Sequence, residues 1–159
     1  MKIDIQKKIF HDCQLIKQME CEMKTKIKLL THLFGTLDDA WKVAGITENA
    51  LNKLAKNDFK YKSGIGIQRS HIVDRQYFLS EILDVPFNSE DELFDYYYEN
   101  DKTILALSSE NSNLDKAKII PFDEDLFKNK SVGYSYTKKE EVFLKKIFEK
   151  SLTIDFQIV

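Results

Sequence analysis

The sequence predicts a mainly helical α+β protein, and three observations lead to this class. Apolar residues recur at helical spacing through residues 3–34 and again through 138–150. Two short runs rich in β-branched or apolar residues, 65–73 and 103–107, predict strands. Hydrophobic residues make up 43% and charged residues 31% of the chain, which is the balance of a folded globular protein. Its 159 residues are enough for one domain with a substantial core.

Local signals divide the rest of the chain into elements. Residues 3–34 predict one long or two shorter amphipathic helices, and Gly35 breaks the pattern. Asp84-Val85-Pro86 ends a helix that begins at Arg75, and the polar run at 88–91 caps the next helix. Further elements are a helix starting over 113–118, a helix over 138–150 and an alternating strand over 152–159.

Three neighbouring tyrosines, Tyr96, Tyr97 and Tyr98, lie in the second of these middle helices. Nucleic-acid bases could stack on such rings. We favour the alternative that the helix packs its aromatic side chains against the protein core.

Residues 37–54 are similar to a helix-turn-helix unit. Gly45 suits the tight turn between two helices, and Thr47 suits the N-cap of the second helix. Two interpretations stay open, a unit that reads DNA and a plain helical scaffold. If the unit reads DNA, the second helix enters the major groove. The groove-facing residues would then be Glu48, Asn49, Asn52 and Lys53.

Charge is unevenly placed along the chain. The net charge is −2, but residues 1–64 carry 12 basic and 8 acidic side chains, whereas residues 65–159 carry 12 and 18. All ionic side chains from Glu81 to Asp101 are acidic. A duplex-binding protein usually presents a basic surface, so only the amino-terminal half could supply one here.

Nothing in the sequence indicates a membrane or a secretory route. No stretch approaches the roughly 18 apolar residues of a membrane span. The first residues lack the apolar core of a signal peptide. Cys13 and Cys21 are therefore expected to be reduced. We expect a cytoplasmic protein with no membrane partner.

Two segments carry the residues that point to chemistry. Arg69-Ser70-His71-Ile72-Val73 places a histidine in the first strand candidate, and residues 102–113 form a strand that runs into an asparagine-rich turn. A neutral imidazole can deprotonate water at physiological pH. An amide oxygen can help to hold a hard cation against a phosphate. A histidine in a strand is, by itself, more often an ordinary core or surface residue.

This order of elements resembles the ββα-metal (His-Me finger) nucleases, chiefly their HNH branch. Ser70-His71-Ile72-Val73 matches the first-strand signature, 103–107 the second strand, and 111–116 the asparagine turn and helix. The match covers roughly residues 64–120. It departs from the family at Ser70, where an acidic residue or a second histidine is common. The segment 75–98 must be a helical insertion. Arg69-Ser70-His71 is also similar to the Arg-Gly-His core of the non-specific branch, so the branch stays open.

The resemblance implies a role for each matching residue. His71 would be the general base, and Asn100 would pin the connecting loop. Arg69 would hold the scissile phosphate through its fork of donors. Mg²⁺ or Mn²⁺ is the implied cofactor. Its candidate ligands are Asn111, Asp115 and Ser70, of which the first two, four apart, would share one face of a helical turn.

The resulting hypothesis is a metal-dependent endonuclease that hydrolyses DNA. It divides the chain into a helical region (1–62), an HNH-like finger (63–122) and a carboxyl-terminal helix and strand (123–159). Sequence-specific cutting of the restriction type implies a homodimer; a defence or toxin nuclease is the variant within this class. DNA contacts are assigned to Lys53, Asn52, Asn49 and Lys116. The alternative is a non-catalytic DNA-binding or protein-interaction module with a degenerate finger, which Ser70 and the negative charge favour.

Overall fold

The structure, a computed structural model, describes residues 2–60, 62, 64–124, 126–127 and 136–155. Over these residues it is α+β and mainly helical, as the sequence predicts. None of the described helices is long and apolar enough to cross a membrane. The elements are α1 (Lys2–Gln18), α2 (Met23–Gly35), β1 (Val43–Thr47), α3 (Glu48–Ala55), β2 (Ile67–His71), α4 (Arg75–Asp84), α5 (Glu90–Asn100), β3 (Thr103–Leu107), β4 (Ile119–Pro121) and α6 (Lys138–Asp155).

The chain forms two compact units, and neither is a continuous stretch of sequence. Unit 1 comprises Met1–Ala40 and His71–Lys102, and unit 2 comprises Trp41–Ser70 and Thr103–Val159. The division predicted from the sequence was three consecutive regions, 1–62, 63–122 and 123–159. The helices α4 and α5, predicted as an insertion into a finger, belong to the same unit as α1 and α2.

Unit 1 is a group of four helices around an aromatic core. Helices α4 and α5 begin at side-chain caps: Asp74 accepts a hydrogen bond from the Tyr77 amide at 2.9 Å, and Ser89 caps α5. In the core, the Tyr97 ring stacks on Phe34 with centroids 4.1 Å apart. The prediction that the tyrosines of α5 pack against the core is confirmed for Tyr97, which is fully buried.

Unit 2 is built on a four-stranded sheet in the order β2-β3-β1-β4. The central strands β1 and β3 run parallel, and β4 pairs antiparallel with β1. Ile46 of β1 and Leu105 of β3 are fully buried, and α3 packs on both strands and on α6. A parallel pair buried on both faces explains the continuous apolar run in β3.

The outer strand β2 runs in the opposite direction to its neighbour β3. At one end of the pair the Ser108 amide donates to the Gly66 carbonyl at 2.8 Å. At the other end the Ile72 amide donates to the Lys102 carbonyl at 3.1 Å. The carboxyl end of β2 therefore lies beside the start of β3, and the chain leaves β3 beside the start of β2.

The helix-turn-helix prediction for residues 37–54 is wrong in its first half. Residues 43–47 are strand β1, where the prediction placed a helix and a turn. Gly45 is a strand residue without a positive φ. Its missing side chain allows close approach, since a Cβ there would lie 2.7 Å from the Ile120 carbonyl oxygen. Thr47 does cap α3, because its side chain accepts from the Ala50 amide at 3.2 Å.

Two further elements differ from the prediction. The helix predicted from 113–118 is replaced by a short 3₁₀ turn, Leu114–Lys116, followed by β4. The residues that follow the turn form β4, which pairs with β1. A local sequence pattern does not reveal this long-range pairing. At the carboxyl end, α6 continues to Asp155 where a strand was predicted from 152, and residues 156–159 lie outside the described residues.

Replacing Gly45 by alanine tests the close approach of β1 and β4. A Cβ 2.7 Å from a backbone oxygen forces the strands apart, so Gly45→Ala should lower the free energy of unfolding by about 2 kcal/mol. Gly35→Ala is the control, because nothing lies within 4 Å of its added Cβ. We expect this helical substitution to be neutral or stabilising by up to about 1 kcal/mol in urea unfolding. Equal stability of the two variants would contradict the strand packing.

Candidate active site around His71

His71 ends β2 and begins the second segment of unit 1. The hydrogen bond from the Ile72 amide to the Lys102 carbonyl aligns the residues after His71 and after Asp101. In this register the His71 Nε2 atom lies 3.3 Å from Oδ1 of Asp101. The imidazole is 21% exposed, whereas the Asp101 side chain is 3% exposed. A partly exposed imidazole thus contacts a buried carboxylate.

Asp101 is held from its other side by Tyr97. The tyrosine hydroxyl donates to Oδ2 of Asp101 at 2.6 Å. Burial raises the pKa of Tyr97, and the adjacent Asp101 charge raises it further, so this hydroxyl keeps its proton. Tyr97, Asp101 and His71 therefore form a continuous chain of polar groups that leads from the core of unit 1 to the imidazole.

The chain defines what His71 can do chemically. A carboxylate that accepts from Nε2 favours the tautomer with its proton on that nitrogen. The lone pair of the ring then lies on Nδ1, the basic nitrogen of this tautomer. Asp101 also stabilises the imidazolium that protonation of this nitrogen creates. The arrangement would suit a general base oriented by a carboxylate.

The side-chain amide of Asn100 binds within its own helix. Asn100 is the last residue of α5, and its Nδ2 donates to the Tyr96 carbonyl at 2.8 Å. This bond closes the last turn of the helix. The group that orients His71 is the next residue, Asp101, which the sequence analysis did not assign to the site. Its signal in the sequence was weak, because Asp101 is the last of eight acidic residues in an acidic run.

Arg69 has a structural role in unit 2. Its Nη1 donates to the Trp41 carbonyl at 3.1 Å and its Nη2 to the Phe127 carbonyl at 3.0 Å. The two ends of the guanidinium fork are thus bound to main-chain oxygens. This arrangement differs from the predicted grip on a scissile phosphate, because the fork ties β2 to two loops of the same unit.

The predicted metal ligands do not form a fitted set. Ser70 is 1% exposed, and its hydroxyl lies 3.4 Å from Nε2 of Gln68. Asn111 and Asp115 are exposed, and no helical turn carries both, since the chain between them is irregular up to the 3₁₀ turn. Among the described residues, no group of three or more His, Cys, Asp or Glu side chains is placed to hold a metal ion.

The α3 residues predicted to contact DNA differ in their surroundings. Asn52 and Lys53 are exposed on the surface of unit 2, as is Lys116 on the 3₁₀ turn. Asn49 instead donates through Nδ2 to Oε1 of Glu110 at 2.9 Å. Its amide is therefore already bound within the protein.

Glu110 is a second polar centre that the sequence analysis missed. One of its oxygens accepts from the Thr47 hydroxyl at 2.6 Å and from the Leu107 amide at 2.9 Å. Burial alone would raise the pKa of this carboxyl, but the hydrogen bonds from Thr47, Leu107 and Asn49 lower it overall. Glu110 thereby joins the end of β3 to the start of α3.

No protein-family model matches this sequence, and searches against curated proteins and against solved structures also give no match.

Removing the Glu110 carboxylate should destabilise unit 2. Glu110→Ala leaves the buried Thr47 hydroxyl and the Leu107 amide without their acceptor, which should cost about 2 kcal/mol in the free energy of unfolding. Glu124→Ala, at an exposed position, is the control and should be near neutral. Chemical denaturation at neutral pH measures both.

The same contact gives a pH dependence. Because folding lowers the pKa of Glu110, its stabilisation is complete above the ordinary glutamate pKa and is lost as pH falls through the lowered value. The stability difference between wild type and Glu110→Ala should therefore shrink in acid. A difference that stays constant from neutral to acidic pH would show that the charge of Glu110 contributes nothing.

Proposed function

We propose that this protein is an endonuclease that hydrolyses DNA phosphodiester bonds with His71 as the general base. The observation that carries the proposal is the polar chain of Tyr97, Asp101 and His71. In this chain the partly exposed imidazole lies 3.3 Å from the buried Asp101 carboxylate. That carboxylate accepts a hydrogen bond from the Tyr97 hydroxyl at 2.6 Å. The resemblance of residues 69–73 to the His-Me finger signature supports the same role.

In the proposed reaction, Nδ1 of His71 takes a proton from a water molecule as the water oxygen attacks the phosphorus atom. The bond from phosphorus to the leaving sugar oxygen breaks, and that oxygen gains a proton from solvent. Asp101 keeps the imidazole oriented and stabilises its positive charge while it carries the proton. Tyr97 holds Asp101 in place and does not touch the substrate.

A divalent metal ion is part of this proposal only as the resemblance implies it. Bound Mg²⁺ would neutralise charge on the phosphate during cleavage. Because Asn111, Asp115 and Ser70 do not fit a metal site, we assign no ligand and no step to the ion. Cutting both strands of DNA requires two active sites, so we also propose a homodimer.

A second candidate function is a non-catalytic nucleic-acid-binding module with a degenerate finger. It is favoured by the 3₁₀ turn that replaces the helix after Asn111 and by the main-chain bonds of Arg69. Cleavage of plasmid DNA by wild-type protein distinguishes the two candidates, since the module would bind without cutting.

His71→Ala should abolish cleavage and leave the fold intact. Loss of a general base typically slows a reaction by ~10²–10⁴-fold. His11→Ala is the matched control, because His11 is exposed on α1 and has no place in the polar chain. Plasmid nicking is measured beside circular dichroism for all three proteins. A folded His71→Ala variant that cuts at the wild-type rate would exclude His71 as the general base.

Asp101→Asn separates orientation from folding. The amide retains the size of the side chain but removes the charge that stabilises the imidazolium, so cleavage should fall with little change in DNA affinity. Tyr97→Phe should reduce cleavage less, because Asp101 still faces His71. Rates of Asp101→Asn equal to wild type would contradict the orienting role.

Metal removal tests the cofactor. If the resemblance holds, EDTA should abolish cleavage and added Mg²⁺ or Mn²⁺ should restore it, since the ion neutralises the phosphate. The fold should be unaffected by EDTA, as circular dichroism would show, because among the described residues no group of three or more His, Cys, Asp or Glu side chains is placed to hold a metal ion. Cleavage that survives exhaustive chelation would contradict the metal requirement and leave the role of His71 intact.

A further inference from the structure

Four lysines of unit 2 extend from α3 into the connection that follows it. They are exposed, and they form what we call the α3 lysine surface: Lys53, Lys56, Lys60 and Lys62. Within the described residues, none of their ammonium groups takes part in a salt bridge. Asp58 is the one acidic side chain in this stretch, so the surface carries an excess of positive charge.

The backbone that carries these lysines is anchored. The Phe59 amide donates to the Leu54 carbonyl at 2.9 Å, and the Phe59 ring is buried against Phe148 of α6. The Lys60 amide donates to the Asn57 carbonyl at 2.9 Å. Asp58 and Phe59 both have positive φ, so a tight, hydrogen-bonded turn fixes the path of the backbone between Lys56 and Lys60.

The connection then approaches Lys53 again. Gly66 has a φ of 74°, and a Cβ built on it would lie 3.4 Å from the Lys53 Nζ atom. The Gly66 carbonyl is fixed by hydrogen bonds from the Ser108 amide and hydroxyl. The ammonium group of Lys53 therefore lies close to an anchored glycine.

Four cations within ten residues of a hydrogen-bonded backbone repel one another unless a polyanion neutralises them. We propose that the α3 lysine surface binds the phosphate backbone of DNA without reading its bases. This inference rests on the proposed nuclease function for the choice of DNA and deepens it by naming the contact surface. It differs from the helix-turn-helix model, in which α3 enters the major groove.

A membrane surface is the other polyanion that lysines attract, and the structure disfavours it. Peripheral membrane binding combines basic residues with exposed apolar side chains that enter the lipid. The described residues of the stretch 48–66 contribute none of the exposed large hydrophobic side chains of the protein. Phosphate groups of a nucleic acid require only the charge.

The test is DNA binding by a variant in which the four lysines are changed to glutamine. The matched control changes Lys7, Lys8, Lys24 and Lys28, which are exposed on α1 and α2 of unit 1, in the same way. Both variants lose four positive charges, so they differ only in where the charge is removed. Fluorescence anisotropy with a labelled duplex in EDTA measures affinity at several salt concentrations without cleavage.

Each lost phosphate contact should reduce the slope of log affinity against log salt concentration by about one. We expect the variant of the α3 lysine surface to lose most of its salt dependence and about 10²–10³-fold in affinity at low salt. The control should bind as the wild type does. A double variant, Lys60→Gln with Lys62→Gln, should reduce the slope by about half as much as the four-lysine variant does. Because it leaves α3 unchanged, it shows that the loss of binding does not come from misfolding of that helix.

Three results would overturn the inference. In the first, the four-lysine variant binds DNA as tightly as the wild type. In the second, the control variant loses as much affinity as the four-lysine variant. In the third, the wild-type protein binds phosphatidylserine vesicles but not DNA. The outcome is separate from that of the cleavage assay. If the wild type binds DNA without cutting it and the four-lysine variant loses that binding, the nuclease proposal fails and this surface stands.

Discussion

The parallel pairing of β1 with β3 is the constraint on which unit 2 depends. These strands come from distant parts of the sequence, and both are buried among helices, so the pair forms only when the core around Ile46 and Leu105 closes. β4 must then approach β1 so closely that only glycine fits at position 45. The cap at Thr47 and its bond to Glu110 place α3 at the end of the same strand.

A different constraint governs unit 1, where a buried carboxylate must be compensated. Burying a charge without partners is costly in free energy. Asp101 therefore accepts a hydrogen bond from the Tyr97 hydroxyl and lies beside the His71 imidazole. The stacking of Tyr97 on Phe34 keeps that hydroxyl in place. The core of the unit and the candidate active site therefore share a residue, so changes in aromatic packing reach the imidazole.

Much of the fold could be predicted because its signals are local. Helix α4 follows from its end at Asp84-Val85-Pro86, α5 from the polar cap that includes Ser89, and β3 from a short apolar run. The helix-turn-helix prediction failed because Gly45 serves a contact with β4, over seventy residues away, and not a turn. The site was predicted at His71 but not at Asp101. That pairing depends on the register between β2 and β3, and Arg69 likewise meets carbonyls that no local pattern indicates.

The turn before β1 contains Trp41, the only tryptophan of the chain. It adopts a positive φ of 60°, and its carbonyl accepts from Arg69 and from the Thr103 hydroxyl at the start of β3. Trp41 belongs to unit 2, whereas four of the tyrosines, including those of α5, belong to unit 1. The fluorescence of the indole therefore reports on unit 2. The near-ultraviolet circular dichroism of the stacked Tyr97 reports on unit 1. Comparing the two signals during denaturation would reveal whether the halves melt cooperatively or one after the other.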